Sequence, residues 1–197
     1  MLFKKRNIIL FCCIIICSIW GYLVYDVNKR FPEPKNYVGQ LDETIDYYGL
    51  SAVLKNVYYY EFDELLKIYP ELKNDLNRTW GEDLSYFYDS TYVLVELYLK
   101  NSAKNLVNLG DLEKTPERMT LELGAYSNGC ASFIYSCINK EVNNIFEQNT
   151  ERVVYLPFSI YKQYMDMEEI KTYDVKICYQ FYPEKRYFYY RPNAVQE

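Results

Sequence analysis

The 197-residue sequence contains no histidine, and it has only 7 glycines. Without histidine, neither a serine nor a cysteine nucleophile has an imidazole base to activate it, and imidazole metal ligands are excluded. No glycine-rich loop of the kind that binds phosphate groups occurs either. We therefore expect a protein that is not an enzyme, with no catalytic residues, no metal site and no cofactor.

Pairs of carboxylates are the remaining catalytic possibility. Adjacent acidic residues occur at Asp42-Glu43, Asp63-Glu64, Glu82-Asp83 and Glu168-Glu169. A glycosidase needs two carboxyl groups that face each other across a cleft. Adjacent side chains diverge on a strand, so these pairs are typical of solvated surface.

Long apolar runs are scarce, with one exception near the N-terminus. There, the uncharged run Asn7–Tyr25 directly follows the basic cluster Lys4-Lys5-Arg6. A helix needs roughly 20 mostly apolar residues to cross a bilayer, and a basic flank stays in the cytoplasm. We predict a cytoplasmic flank over residues 1–6 and a single-pass membrane anchor over residues 7–25, with the C-terminal domain extracellular. A cleaved signal peptide is the alternative, although no small-x-small cleavage site follows the run.

The rest of the chain is long enough for one domain. We interpret residues 26–40 as a stalk, because its prolines favour an extended spacer. Residues 41–192 then form an extracytoplasmic domain, and residues 193–197 a tail. The net charge of −5 argues against a nucleic-acid partner, which requires a basic surface.

The periodicity of apolar residues changes along this domain. Residues 61–76 repeat at intervals of three and four, which predicts an amphipathic helix interrupted by Pro70, and residues 41–60 are also interpreted as helical. The period then becomes two, which predicts strands over 93–100, 152–158, 174–182 and 186–191, the last two forming a hairpin. Helices followed by strands favour an α+β fold, in which helices pack on one face of an antiparallel β-sheet after the transmembrane helix.

The dipeptide Asn128-Gly129 is the strongest turn signal, since it is preferred in two-residue hairpins. The predicted hairpin over residues 119–138 places Leu121 and Leu123 on an apolar face and leaves an aromatic, polar face opposite. Together with the terminal strand, that second face is the predicted partner-binding surface, formed by Glu122, Tyr126, Phe133, Tyr135, Tyr187 and Tyr189. The alternative is that another layer covers this face and makes its residues ordinary core.

Three of the 6 cysteines lie outside the predicted anchor, at Cys130, Cys137 and Cys178. Cys130 and Cys137 fall on one predicted strand, an odd number of residues apart, so their side chains point to opposite faces and cannot bond each other. Pairing of Cys178 with Cys130 or with Cys137 is left open.

Three features together suggest a family: the basic cluster with its uncharged run, the acidic and aromatic segment Asn56–Leu65, and the later alternating strands. In this layout the chain resembles the TipC-type immunity proteins of Gram-positive bacteria. The resemblance implies a surface-exposed protein that binds and neutralises a type VII-secreted toxin, one that attacks the cell-wall precursor lipid II, by protein–protein contact. No site residues can be transferred from the family. A non-catalytic accessory subunit of a membrane secretion or conjugation complex is the alternative.

Overall fold

The structure is a computed structural model that describes residues 2–30, 35–110, 114–140 and 142–192. The chain divides into an N-terminal unit that ends at Lys35 and a larger unit that begins at Asn36. Residues 31–34 of the predicted stalk and the predicted tail, 193–197, lie outside the described residues.

The N-terminal unit contains helix α1, Leu2–Arg30. Its last turn carries an ion pair, with Asp26 and Arg30 2.8 Å apart. No helix among the described residues combines the length and the apolar character that crossing a membrane requires. The predicted anchor over residues 7–25 and the predicted single-pass membrane localisation are therefore wrong. The described part of the run forms a helix, in which the hydroxyl of Ser18 donates to the carbonyl of Ile14 at 2.8 Å.

The larger unit consists mainly of strands joined by short helices. In chain order, its elements are β1 Lys35–Gly39, β2 Thr44–Tyr47, β3 Leu50–Glu61, α2 Phe62–Ile68, α3 Glu71–Trp80, α4 Ser85–Tyr88, β4 Ser90–Lys100, β5 Val107–Asn108, a 3₁₀ turn Pro116–Arg118, β6 Thr120–Leu123, β7 Tyr126–Gly129, α5 Ser132–Ile138, β8 Ile145–Phe146, β9 Glu151–Tyr161, α6 Met167–Ile170, β10 Val175–Gln180 and β11 Glu184–Tyr190.

The described strands form three sheets. A five-stranded sheet has the order β1-β11-β10-β6-β7, a four-stranded sheet has the order β2-β3-β4-β9, and β5 pairs with β8. The predicted α+β class, a membrane helix and then helices on one face of a single sheet, is wrong. The fold is a mixed α/β arrangement of several sheets, and in the larger unit the strands begin before the helices.

Strand β3 accounts for most of this difference. Residues 41–60 are predicted to be helical, yet they form β2 and β3, and β3 pairs with β4 from Ser51↔Lys100 to Glu61↔Thr91. Valine and tyrosine recur along β3, and both favour strands. The pairing with β4 involves residues far away in sequence, so the local spacing of apolar residues does not reveal it.

The main core lies between the five-stranded and four-stranded sheets. Alternate residues of a strand share a face, and β4 directs one set of side chains into this core. These are Val93, Val95, Leu97 and Leu99. The five-stranded sheet contributes Leu121, Leu123, Val175, Ile177 and Phe188, all of which are buried. The two sheets therefore form a sandwich.

A second core lies on the other face of the four-stranded sheet. There, Tyr92 and Leu94 of β4 pack against buried side chains of the helices. These side chains are Phe62 and Leu65 of α2, Leu72 and Leu76 of α3, Phe87 of α4 and Ile134 of α5. The amphipathic helix predicted over residues 61–76 is confirmed as α2 and α3, with the predicted break at Pro70.

Residues at the two ends of α5 form hydrogen bonds with the backbone at the outer edge of β9. The side-chain amide of Asn139 donates to the carbonyl of Tyr155 at 2.8 Å and accepts from the N–H of Tyr155 at 3.0 Å. The N–H of Ala131 donates to the carbonyl of Pro157 at 2.7 Å. These bonds satisfy backbone groups that an edge strand otherwise presents to another chain.

Leu123→Ala should leave a cavity in the main core and lower the free energy of unfolding by about 2–5 kcal/mol. Leu123 is only 1% exposed. Chemical denaturation measures the loss, and Leu106→Ala is the control, since Leu106 is 58% exposed. Equal stability of the two variants would contradict the assignment of Leu123 to the core.

Asn139→Ala should remove both bonds to Tyr155 and lower the free energy of unfolding by about 1–3 kcal/mol, because buried polar groups lose their partners. The matched control is Asn74→Ala, at an exposed position of α3. Hydrogen exchange should also speed up at the N–H of Tyr155 in the Asn139 variant. Unchanged exchange there would show that Asn139 does not protect the edge.

Candidate functional site

The predicted position of the hairpin turn, at Asn128-Gly129, is wrong. Strands β6 and β7 do form a hairpin, but its two-residue turn is Gly124-Ala125, since Leu123 pairs with Tyr126. Gly124 has a φ of 57°, in the left-handed region that favours glycine, and glycine at the first turn position is typical of the type II′ hairpin. Asn128 lies within β7 opposite Leu121.

This shift separates three of the six predicted partner-binding residues from the other three. Tyr126 stands opposite Leu123, so it is directed toward the main core, where it is half-buried. Phe133 and Tyr135 lie on α5, in a segment predicted to be a strand. Tyr135 is buried in the main core, and Phe133 packs on the helical side of the four-stranded sheet. These three residues therefore do not form one exposed surface.

The other three predicted residues, Glu122, Tyr187 and Tyr189, lie together on the outer face of the five-stranded sheet. In the register of the strands, Lys176 stands between Glu122 and Tyr189, and Cys178 stands beside Tyr187. Directly opposed residues of neighbouring strands point to the same side. We call the outward-facing residues Thr120, Glu122, Lys176, Cys178, Lys185, Tyr187 and Tyr189 the tyrosine face.

An ion pair fixes one end of the tyrosine face. The ammonium group of Lys185 donates to both carboxylate oxygens of Glu122, at 2.9 and 2.8 Å. The side chains are only 26% and 19% exposed, so solvent screens the pair less than it screens most surface pairs. The hydrogen bond to Glu122 raises the pKa of Lys185, which therefore stays charged.

Two ammonium groups lie over the ring of Tyr187. The nitrogen of Lys176 is 5.7 Å from the ring centroid, and the nitrogen of Lys185 is 5.8 Å from it. Cations at such distances are attracted to the face of an aromatic ring. The ring of Tyr187 is therefore held in place by charges from its own chain.

Tyr189 is held by a different group. The guanidinium of Arg191 donates to the hydroxyl of Tyr189 at 2.7 Å and to the carboxylate of Asp174 at 2.9 Å. The hydrogen bond from Arg191 holds the pKa of the Asp174 carboxyl below its ordinary value. Both tyrosines of the face thus have fixed orientations, and a partner would not have to order them on binding.

The described cysteines Cys130, Cys137 and Cys178 are all free, so neither pairing that the sequence left open is formed. Cys178 is buried beneath the side chains of the tyrosine face. Burial, and then the neighbouring Glu122 carboxylate, raise the pKa of its thiol to about 12. At neutral pH this thiol is therefore protonated and unreactive.

The described residues contain no group of three or more histidine, cysteine, aspartate or glutamate side chains placed to hold a metal ion. The tyrosine face instead offers aromatic rings and fixed charges. A cavity of about 530 Å³ continues from it around β11, lined by Gln40, Leu41, Asn56, Tyr189, Tyr190, Arg191 and Pro192. Tyr189 and Arg191 belong to both the cavity and the surroundings of the face, so a ligand on the face has a recess beside it.

The segment Asn56–Leu65, which carries part of the family resemblance, spans the end of β3 and the start of α2. Tyr58 and Tyr60 face the helical side, whereas Tyr59 packs against the main core. The hydroxyl of Tyr58 donates to Glu96 at 2.7 Å, and the rings of Tyr58 and Tyr60 stack 6.0 Å apart. The N–H of Glu61 donates to the carboxylate of Glu64 at the start of α2. The segment thus has a structural role at the junction of strand and helix.

Tyr187→Ala should uncover Cys178, which lies beside it on the same face, and should increase the rate of its alkylation several-fold. The thiol is fully buried in the native protein, so the rate reports on the cover above it. Peptide mapping by mass spectrometry after iodoacetamide treatment identifies the labelled cysteine. Tyr189→Ala is the control, since Tyr189 pairs with Lys176. Equal rates in both variants would contradict this geometry.

The sequence matches no protein-family model, and it matches none of the curated proteins. Among solved structures, it is similar to an uncharacterised β-sandwich protein from Clostridium difficile 630, with a TM-score of 0.44 and 15% identity over 80% of this chain and 95% of that chain. A functionally unknown protein from Listeria monocytogenes EGD-e has a TM-score of 0.41 and 12% identity, over 68% of this chain and 70% of that one. A conserved hypothetical protein from Bacillus anthracis has a TM-score of 0.43 and 12% identity, over 71% and 87% of the two chains.

Proposed function

We propose that the protein is an immunity protein that binds a secreted antibacterial toxin through the tyrosine face and neutralises it by protein–protein contact. The toxin class, type VII-secreted and directed at a cell-wall precursor, follows from the family that the sequence resembles. The observation that carries the proposal is the pair of oriented tyrosines, Tyr187 and Tyr189, beside the Glu122–Lys185 ion pair.

The position of the face supports this proposal. No helix among the described elements packs closely against β6, β10 or β11. Helices α2, α3, α4 and α5 lie on the four-stranded sheet, on the other side of the main core. An uncovered sheet face that carries large aromatic rings is suited to docking, because tyrosine is enriched at protein interfaces and among the residues that dominate binding energy.

The rigidity of the face also supports protein recognition. Lys176 and Lys185 fix the ring of Tyr187, and Arg191 fixes the hydroxyl of Tyr189. Each side chain that is ordered before binding reduces the entropy lost on association. The tyrosines thus offer contact area in the conformation that a partner would meet.

The net charge of −5 indicates which kind of partner surface the protein attracts. An acidic protein attracts a basic surface over a distance, and this attraction speeds association more than it strengthens the complex. We therefore expect the toxin to present a basic surface and the association rate to fall as salt is raised.

Tyr187→Ala and Tyr189→Ala should each cost about 2 kcal/mol of toxin affinity, as expected for aromatic anchors. That is roughly a thirtyfold increase in Kd, since about 1.4 kcal/mol is a factor of ten. A purified type VII-secreted toxin that attacks a cell-wall precursor serves in the assay, and calorimetry measures the affinity. Protection of toxin-exposed cells should weaken in parallel.

Tyr164→Ala is the matched control, because Tyr164 is 63% exposed and lies outside the tyrosine face. It should bind the toxin like the unmodified protein. All three variants should melt at the unmodified temperature. Native melting combined with unmodified affinity in both face variants would show that the toxin does not dock there, and absence of any binding by the unmodified chain would refute the immunity function.

A further inference from the structure

A second aromatic surface lies on the helical side of the four-stranded sheet, away from the tyrosine face. It is a groove of about 410 Å³, and Trp80, Asp83, Tyr86, Phe87 and Phe133 are among the residues that line it. We call these five residues the aromatic groove. None of them lies on the five-stranded sheet, so a ligand of the groove is independent of the toxin proposed for the tyrosine face.

Three separate segments bring the rings of the groove together. Trp80 ends α3, Tyr86 and Phe87 lie on α4, and Phe133 lies in the first turn of α5. Gly81 follows Trp80 with a φ of 80°, a left-handed conformation that ends the helix and turns the chain toward α4.

The rings stand nearly perpendicular to one another. The centroids of Trp80 and Phe87 are 6.0 Å apart with an interplanar angle of 82°, and those of Trp80 and Phe133 are 6.4 Å apart with an angle of 86°. Phe87 is buried, whereas Trp80 and Tyr86 are 60% and 51% exposed. The groove therefore has a buried floor and exposed aromatic walls.

One charge lies in this aromatic surface. Among the described lining residues, only Asp83 carries a formal charge. Its carboxylate accepts a hydrogen bond from the N–H of Ser85 at 3.1 Å. The hydrogen bonds from Ser85 hold the pKa of Asp83 below its ordinary value, so the carboxylate is ionised at neutral pH.

The described part of the chain supplies no cation to the rings of this site. Within the described residues, the lysine and arginine groups that lie over rings contact Tyr37, Phe146, Phe181, Tyr187 and Tyr189. None of these rings belongs to the aromatic groove. Its negative ring faces and its carboxylate thus remain available to a cation from outside.

We propose that the aromatic groove binds a lysine or arginine side chain presented by a protein partner. The alkyl stem of such a side chain packs on the rings of Trp80 and Phe133, and its charged end meets the Asp83 carboxylate. Perpendicular aromatic walls are suited to a cation because each ring face carries negative charge density. The carboxylate makes the site complementary to a basic group and unfavourable to an acidic one.

The test uses the full chain with Trp20→Phe, so that Trp80 becomes the single source of tryptophan fluorescence, since the chain has 2 tryptophans. Two capped tripeptides serve as probes at constant ionic strength. One carries lysine between two glycines, and the other carries norleucine, which lacks the ammonium group. The lysine peptide should give a saturable change in emission with a Kd of about 1 mM, and the norleucine peptide should bind about tenfold more weakly.

Asp83→Asn supplies the matched variant. Asparagine keeps a carbonyl oxygen for the N–H of Ser85, so α4 retains its first turn while the charge is lost. Binding of the lysine peptide should weaken several-fold, and binding of the norleucine peptide should stay the same. Tyr182→Ala is the control for an exposed aromatic residue outside the groove, since Tyr182 is 59% exposed.

Three results would overturn this proposal: equal binding of the two peptides, which would indicate an apolar occupant; no saturable change with either peptide; or unmodified affinity for the lysine peptide in Asp83→Asn. Tyr187→Ala should leave peptide binding unchanged. The outcome is therefore separate from the outcome of the toxin-binding test on the tyrosine face.

Discussion

The fold depends on strand β4, which is paired on both edges and, from Ser90 to Val95, buried on both faces. It pairs with β3 on one side and with β9 on the other, where the register runs from Ser90↔Tyr161 to Lys100↔Glu151. Its alternate side chains enter two different cores, one facing the second sheet and one facing the helices. A strand in this position contains apolar residues at nearly every place, because neither face meets water. Helices and sheets are both arranged around it.

Among the described elements, this arrangement leaves one large face with no helix packed closely against it. The helices α2, α3, α4 and α5 pack on the outer side of the four-stranded sheet, and the inner side meets the five-stranded sheet. The outer side of the five-stranded sheet is then left to the tyrosine face. Two ion pairs lie on this face or beside it, Glu122 with Lys185 and Asp174 with Arg191. A face of this composition is stable in water and still offers large aromatic surfaces to a partner.

The sequence predicts the helices and strands whose apolar residues repeat with a local period. It does not predict elements whose conformation depends on contacts with residues remote in sequence. The strands β4, β9, β10 and β11 and the helices α2 and α3 follow from the period of their apolar residues. Strand β3 does not, because its partner β4 is remote in sequence. A single misplaced turn puts Phe133 and Tyr135 on a predicted strand, although Gly124 at a first turn position is a signal for the correct turn. The sequence places Glu122 on the outer face because it alternates with Leu121 and Leu123, an alternation that does not depend on the turn.

The aromatic groove joins three segments, and no single stretch of sequence contains it.

The two aromatic surfaces differ in whether cations of the chain itself already lie over their rings. This difference decides which chemical groups each surface can bind. On the tyrosine face, the ring of Tyr187 already has two ammonium groups from its own chain, so a partner gains most from ring edges and from apolar area. In the aromatic groove, Trp80 and Phe133 have no such cation among the described residues, and an ionised Asp83 lies beside them. The groove therefore favours a basic group, whereas the rings of the tyrosine face offer apolar contact area. Because the surfaces lie on opposite sides of the sandwich and prefer different chemistry, one flat partner surface cannot satisfy both, and each requires its own binding measurement.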